Sequence, residues 1–137
     1  MRPQLEFLRF KTEVLENQFW STDKTHPRIV GLTLSLGNWI WTKISPLKPL
    51  IITAVWRNAE EQKQLYGVTQ APDSPHFCNP LCRAVDFRAK DDYFTKPEQA
   101  EINKFITTHF KRSDGKPTII WHSVADEFHG HIQVEKS

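Results

Sequence analysis

The chain has no long apolar run at its start. The stretch "MRPQLEFLRFKTEVLENQFW" carries a charge every few positions and offers no continuous hydrophobic segment. A bilayer-spanning helix needs about 20 apolar residues in succession and a signal peptide needs an apolar core, so neither is expected there. The expected location is cytoplasmic, with no membrane partner. Charge of one sign is equally scarce. Lys and Arg number 18 against 16 Asp and Glu, a net +2, and the two signs are interleaved. No basic stripe marks a nucleic-acid surface. Cysteine is limited to Cys78 and Cys82, which share one loop. In a cytosolic product, reduced thiols are expected there rather than a disulfide. Repeats and low-complexity linkers are missing too, which leaves a single domain.

What is present suits a folded domain. Its 137 residues are 39% hydrophobic and 25% charged. That is close to the globular average and enough to bury a core without help from a metal or disulfide. A monomer is expected. Leu5, Leu8, Val14 and Leu15, with Phe7 and Phe10, form an approximate helical stripe over residues 4–18. "STDKTHPRIVG" then breaks it. Residues 29–56 are rich in Ile, Leu, Thr, Val and Trp, and Gly37-Asn38 between "LTLSL" and "WIWTKI" reads as a hairpin turn. "LIITAVW" (50–56) predicts a buried strand.

Asn58 with Glu61 predicts a capped helix through "AEEQKQLY", stopped by Gly67. A strand is expected at 83–88. Thr95 and Glu98 form a second capping box before a helix whose buried face is Ile102, Phe105, Ile106 and Phe110. "RSDGKP" reads as a turn, "TIIWH" (118–122) as a strand, "SVADEF" as a connection and "HGHIQVE" as the last strand. Helices mixed with hairpin-linked strands, without regular alternation, indicate an α+β fold built on a small antiparallel sheet flanked by helices.

The chemistry concentrates in "SPHFCNPLCRAVDFR" (74–88) and "DEFHGHIQVE" (126–135). Side chains alternate along a strand, so Ala84, Asp86 and Arg88 face one way and Val85 and Phe87 the other. A half-buried carboxylate at Asp86 needs a partner. His76 precedes it, and His129 and His131 share one face of the final strand. Taken singly, each has a plainer explanation: a surface histidine, a salt-bridged aspartate, a solvated strand face. Together, a histidine, an aspartate and a second histidine from three elements make a zinc triad with a position left open for water, as catalytic zinc sites have.

These residues carry a resemblance. "SPH…CRAVDF" resembles the S-x-H-x-x-G-x-A-x-D signature of the D-Ala-D-Ala carboxypeptidase and L-alanyl-D-glutamate peptidase family. That family shares its fold and zinc site with the hedgehog signalling domain and the murein endopeptidases. "TAVWRNAEEQKQLYG" is similar to the family's strand–Arg–helix segment, and "HGHIQV" to the His-x-His strand of the hedgehog and murein endopeptidase branches. The three segments stand in the family's order and span residues 50–134. The resemblance implies zinc ligation by His76, Asp86 and His131, with Arg57 orienting substrate and Ser74 near the site.

Two departures stand out. The stretch from His76 to Asp86 is three residues longer than in the signature, and Cys82 replaces its Gly, so that Cys78 or Cys82 could approach the metal, although a soft thiolate would reduce the power of zinc to acidify water. The family's Glu-x-x-His base position would be Phe128 if His131 is the ligand. If His129 is the ligand instead, Asp126 takes the base position. His129, Asp126, Glu127 and His122 therefore stand as catalytic candidates. The implied substrate is a peptide of bacterial peptidoglycan. A phage lysis or virion enzyme fits a chain expected in the cytoplasm, with phage-type release carrying it to the wall. The rival reading is a non-catalytic zinc-binding or virion structural module on the same fold.

Overall fold

The computed structural model describes residues 5–56, 61, 64, 75–76, 81–124 and 126–135. Among them run strands β1 (Leu8–Phe10), β2 (Leu50–Ala54), β3 (Ala84–Arg88), β4 (Ile119–Val124) and β5 (Glu127–Gln133). The helices are α1 (Glu13–Phe19), α2 (Pro27–Lys43) and α3 (Lys96–His109). The fold is α+β, with a five-stranded sheet ordered β1-β2-β3-β5-β4. Four of its strands pair antiparallel, as expected, and β1 joins β2 in parallel.

The longest helix lies where composition suggested a hairpin. His26 caps α2, its Nδ1 accepting from Arg28 N at 3.1 Å, and Pro27 occupies the first turn, where a missing N–H costs nothing. Buried Ile29, Leu32, Thr33, Leu36, Gly37 and Ile40 recur at helical spacing on one face. Strand-favouring residue types thus sit in a helix because their period, not their propensity, matches the core. Gly37 is no turn: a Cβ there would stand 2.8 Å from Phe7 Cδ2, so the residue admits the Phe7 ring against the helix.

The stripe over residues 4–18 divides in the same way. Leu8 to Phe10 pair with Leu50 to Ile52, and Thr12 ends the extended segment by capping α1 with its Oγ1 on Leu15 N at 3.3 Å. Cross-strand pairing overrides the helical spacing of the apolar residues. The capping box of α3 forms as expected: Thr95 Oγ1 accepts from Glu98 N at 3.3 Å, and Glu98 Oε1 accepts from Thr95 N at 2.8 Å. Lys48 Nζ adds a 2.6 Å bond to the same carboxylate. Ile102 and Ile106 are fully buried, and the half-buried Phe105 stacks on Trp39 of α2 at 4.7 Å.

The expected connection "SVADEF" shrinks to residues 125–126, since Ser123 and Val124 end β4 while Glu127 and Phe128 begin β5. Asp126 in that tight turn has φ +64°. Of the helix expected after Asn58, Glu61 and Gln64 are helical. Arg57, Asn58, Gly67, Ser74 and Cys78 lie outside the described residues.

The sheet has two unlike faces. Val85, Phe87 and Ile132 are fully buried on the one that belongs to the hydrophobic core with α2 and α3. Gly130 lies opposite Phe87 in the ladder, and a Cβ there would fall 2.1 Å from Phe87 Cζ. The glycine lets the phenyl ring cross the neighbouring strand. Among the described residues, no helix is long and apolar enough to cross a membrane.

Candidate metal centre

The other face of the sheet gathers the histidines. Antiparallel register sets Asp86 opposite His131 and Arg88 opposite His129, while β4 places His122 opposite His129. Residues directly opposite share a face with Cβ atoms about 5 Å apart, so the ladder alone brings Asp86 to His131. His76 arrives from the segment before β3. That segment is pinned by backbone bonds: Arg83 N donates to Pro75 O at 2.7 Å, Cys82 N to Lys24 O at 2.7 Å and His26 N to Cys82 O at 2.9 Å.

The result is a compact cluster in which ligand atoms of His76, Asp86 and His131 all lie within 4.8 Å of one another. His76 Nε2 is 3.0 Å and His131 Nδ1 2.7 Å from Asp86 Oδ1. Both imidazoles are buried.

Proton bookkeeping decides what this cluster needs. His76 Nδ1 lies 2.8 Å from the carbonyl of Val55, which can only accept, so Nδ1 carries the hydrogen. His131 Nε2 lies 3.0 Å from Gln133 Oε1. The amide of Gln133 is oriented by its own Nε2, which donates to Pro117 O at 2.8 Å, so His131 Nε2 also carries its hydrogen. In neutral rings this leaves His76 Nε2 and His131 Nδ1 as bare lone pairs, both aimed at a carboxylate oxygen.

Three acceptors facing one point repel unless positive charge sits among them. Protons at the facing atoms or a bound cation can relieve it. A metal ion satisfies every group: it takes deprotonated ring nitrogens and a carboxylate, and the far nitrogen of each ring is already held by an outer acceptor. The group can hold a metal ion. Burial pushes the Asp86 carboxyl up, but with protons on the two facing ring nitrogens the bonds from His131 and His76 outweigh it and hold the group well below the ordinary carboxylate range.

His129 and His122 extend the cluster. His129 Nε2 is 3.4 Å from Asp86 Oδ2, the oxygen that the other two imidazoles leave. The ring of His122 packs against His129 at 4.4 Å and His131 at 5.8 Å between centroids. Lost hydration, then the neighbouring His129 and His131, push His122 below the usual histidine value.

The other expected carboxylates stand apart. Asp126 is exposed in the β4–β5 turn, and exposed Glu127 pairs with Lys90 at 3.0 Å. Among the described residues, neither is bonded to His76, Asp86 or His131, so the pairing of Asp126 with a His129 ligand finds no support in the geometry. The buried Cys82 thiol, with one proton to donate, lies within reach of Val55 O at 2.9 Å and Ala84 O at 3.3 Å, beside the carbonyl that orients His76 rather than in the ligand group.

Sequence reasoning missed two partners. Gln133 continues the alternation His129-x-His131-x-Gln133, and extending that face by one step would have found it. The Val55 carbonyl has no side-chain signature. The chain matches no protein-family model, no curated protein and no solved structure.

Proposed function

We propose that the protein is a zinc-dependent peptidase that hydrolyses peptide bonds of bacterial peptidoglycan, of the D-Ala-D-Ala carboxypeptidase and L-alanyl-D-glutamate peptidase type. The observation that carries this reading is the convergence of two lone-pair nitrogens, from His76 and His131, on Asp86 Oδ1. Two imidazoles and a carboxylate form a donor set that suits zinc, and a set of three protein ligands matches catalytic rather than closed structural sites. Bound zinc would supply Lewis acidity toward a carbonyl and a water with pKa near ~7.

The chain's own residues have separate tasks. Val55 O and Gln133 hold the rings of His76 and His131 in the ligating tautomer. His129 stands at the edge of the group and can hold a proton at Nε2 for delivery to a leaving amine. His122 backs it. A phage lysis or virion-associated role accords with wall peptide as the substrate.

The second reading is a non-catalytic zinc-binding module. It draws support from the turn, where Glu127 is engaged by Lys90 and no carboxylate base reaches the cluster among the described residues. One experiment separates the two. Zinc content is measured on the native protein and on His76→Ala and His131→Ala, and the native protein is incubated with purified peptidoglycan with and without chelator. New amine termini that chelator abolishes support the peptidase. Zinc retention without new termini supports the binding module. Native protein with no more zinc than its variants sinks both.

A further inference from the structure

Backbone bonds tie the start of α2 to the segment that carries His76. His26 N donates to Cys82 O at 2.9 Å, Cys82 N donates to Lys24 O at 2.7 Å, and Thr25 and Cys82 form a parallel bridge. One residue further on, Arg83 N donates to the carbonyl of Pro75, the residue before His76, at 2.7 Å. The Cys82 thiol lies 2.9 Å from the Val55 carbonyl, the same group that orients the His76 ring. The N-terminus of α2 therefore forms part of the mount on which His76 sits. That N-terminus is capped by a group that can titrate, where Ser, Thr, Asn or Asp is the usual cap. The backbone N–H of Arg28 can only donate, so the His26 Nδ1 that accepts from it at 3.1 Å carries no hydrogen. A proton there would remove the acceptor and set a positive charge at the positive end of the helix dipole. Burial, then Arg28 on the same helix and Arg83 on the facing segment, hold the ring below its ordinary value of 6.5. Both of those charged neighbours are cations and oppose the imidazolium.

We propose that His26 is a proton-operated latch: uncharged, it caps α2 and holds the Cys82–Arg83 segment that presents His76, and protonated, it lets the cap and that segment go together. The charged ring gains by leaving the helix end for water, where the imidazolium is hydrated and no dipole opposes it. The first turn of α2 then frays, and the bond from His26 N to Cys82 O is the next one outward. The sign of the effect follows from linkage. A folded value below 6.5 means that the contribution of the cap is complete above pH 6.5 and is lost as pH falls through the folded value. Near neutrality the His76 ring is held in place; in mild acid its mount loosens. The latch needs only these hydrogen bonds and rests on neither the peptidase reading nor a bound metal.

Amide hydrogen exchange of the metal-free full chain, resolved by NMR at about pH 7.5 and about pH 5, tests the proposal across the range in which histidine titrates. Each rate is divided by that of the unfolded chain at the same pH. Arg28 N reports the cap, Cys82 N and Arg83 N report the mount, and Phe110 N at the end of α3 is the reference, bonded to Ile106 O away from both. In the native protein, protection of the three reporters relative to Phe110 should fall about fivefold in acid, the worth of one helix cap. His26→Asn supplies a cap that does not titrate and should hold protection at both pH values. His26→Ala should show the lower protection at both. Should His26→Asn fail to fold, His26→Ser takes its place. Unchanged protection of Arg28 in the native protein overturns the latch. So does an equal loss in His26→Asn, which would assign the effect to His76, Asp86 or His131 instead. Loss at Arg28 with Cys82 and Arg83 unmoved overturns it as well, since the cap would then open without releasing the segment. Zinc content is measured separately, and a chain that takes up no zinc removes the peptidase reading without touching this one.

Discussion

Replacing Gln133 by Leu tests the proton assignment directly. Gln133 touches no metal-facing atom; it accepts from His131 Nε2 at 3.0 Å and is itself held by Pro117 O at 2.8 Å. It is 8% exposed, so water cannot easily take over its role. Outer partners of ligating histidines contribute about 10–100-fold to metal affinity, or roughly 1.4–2.8 kcal/mol. Gln133→Leu should therefore weaken zinc binding by that factor, measured by competition with a chelator of known affinity at constant pH. Leucine also removes the bond to the Pro117 carbonyl; Pro117 is exposed, so water can take its place, and the loss should cost the fold about 0.5–1.5 kcal/mol with or without metal. Thermal melts of the metal-free proteins isolate it. Gln133→Glu sharpens the test, because a carboxylate accepts more strongly and makes the ring a better ligand; its zinc affinity should equal or exceed that of the native chain. A Gln133→Leu protein that folds and binds zinc within twofold of native would refute the reasoning.

On the proposed peptidase reading, His129→Ala should retain zinc while slowing peptide hydrolysis by about 10²–10⁴-fold, the usual worth of a proton carrier; loss of zinc in elemental analysis would make His129 a ligand instead. Gly130→Ala forces a Cβ into the Phe87 ring and should cost roughly 1–3 kcal/mol by overpacking, read in denaturant melts, with partial recovery on adding Phe87→Leu. A native-like midpoint for the single variant would contradict the packing described. Thr95→Ala should destabilise by about 1 kcal/mol through loss of the α3 cap. The carboxyl of Glu98 is pushed up by burial, but Lys48 and Thr95 pull it net below its ordinary value of 4.5. A lowered folded value means its contribution is present above pH 4.5 and fades as pH falls through the folded value. The stability gap between native and Glu98→Gln should accordingly narrow in acid; a gap that widens there would reverse the assignment.

Where local chemistry dictates structure, the sequence was legible. The Thr95–Glu98 box appears as read, the strand expected at 83–88 is Ala84–Arg88, and the outward alternation of Asp86 brings it to His131. Longer-range effects were not legible. Residues Ile29 to Ile40 look strand-like by type, and only their spacing shows the helix. Leu8 to Phe10 become a strand because β2 offers an edge, which nothing local announces. The site was half readable in the same sense. Side-chain donors follow from motif and alternation, whereas the Val55 carbonyl and the Lys90 claim on Glu127 depend on folded geometry.

The position of β5 has a consequence for assembly. It comes after β3 and β4 in the chain yet lies between them. A polypeptide interrupted before Glu127 would hold two strands with nothing to join them and would lack His131 altogether. Insertion of that central ribbon closes the sheet and delivers the second imidazole in one event, so affinity for the ion should rise only when folding is complete.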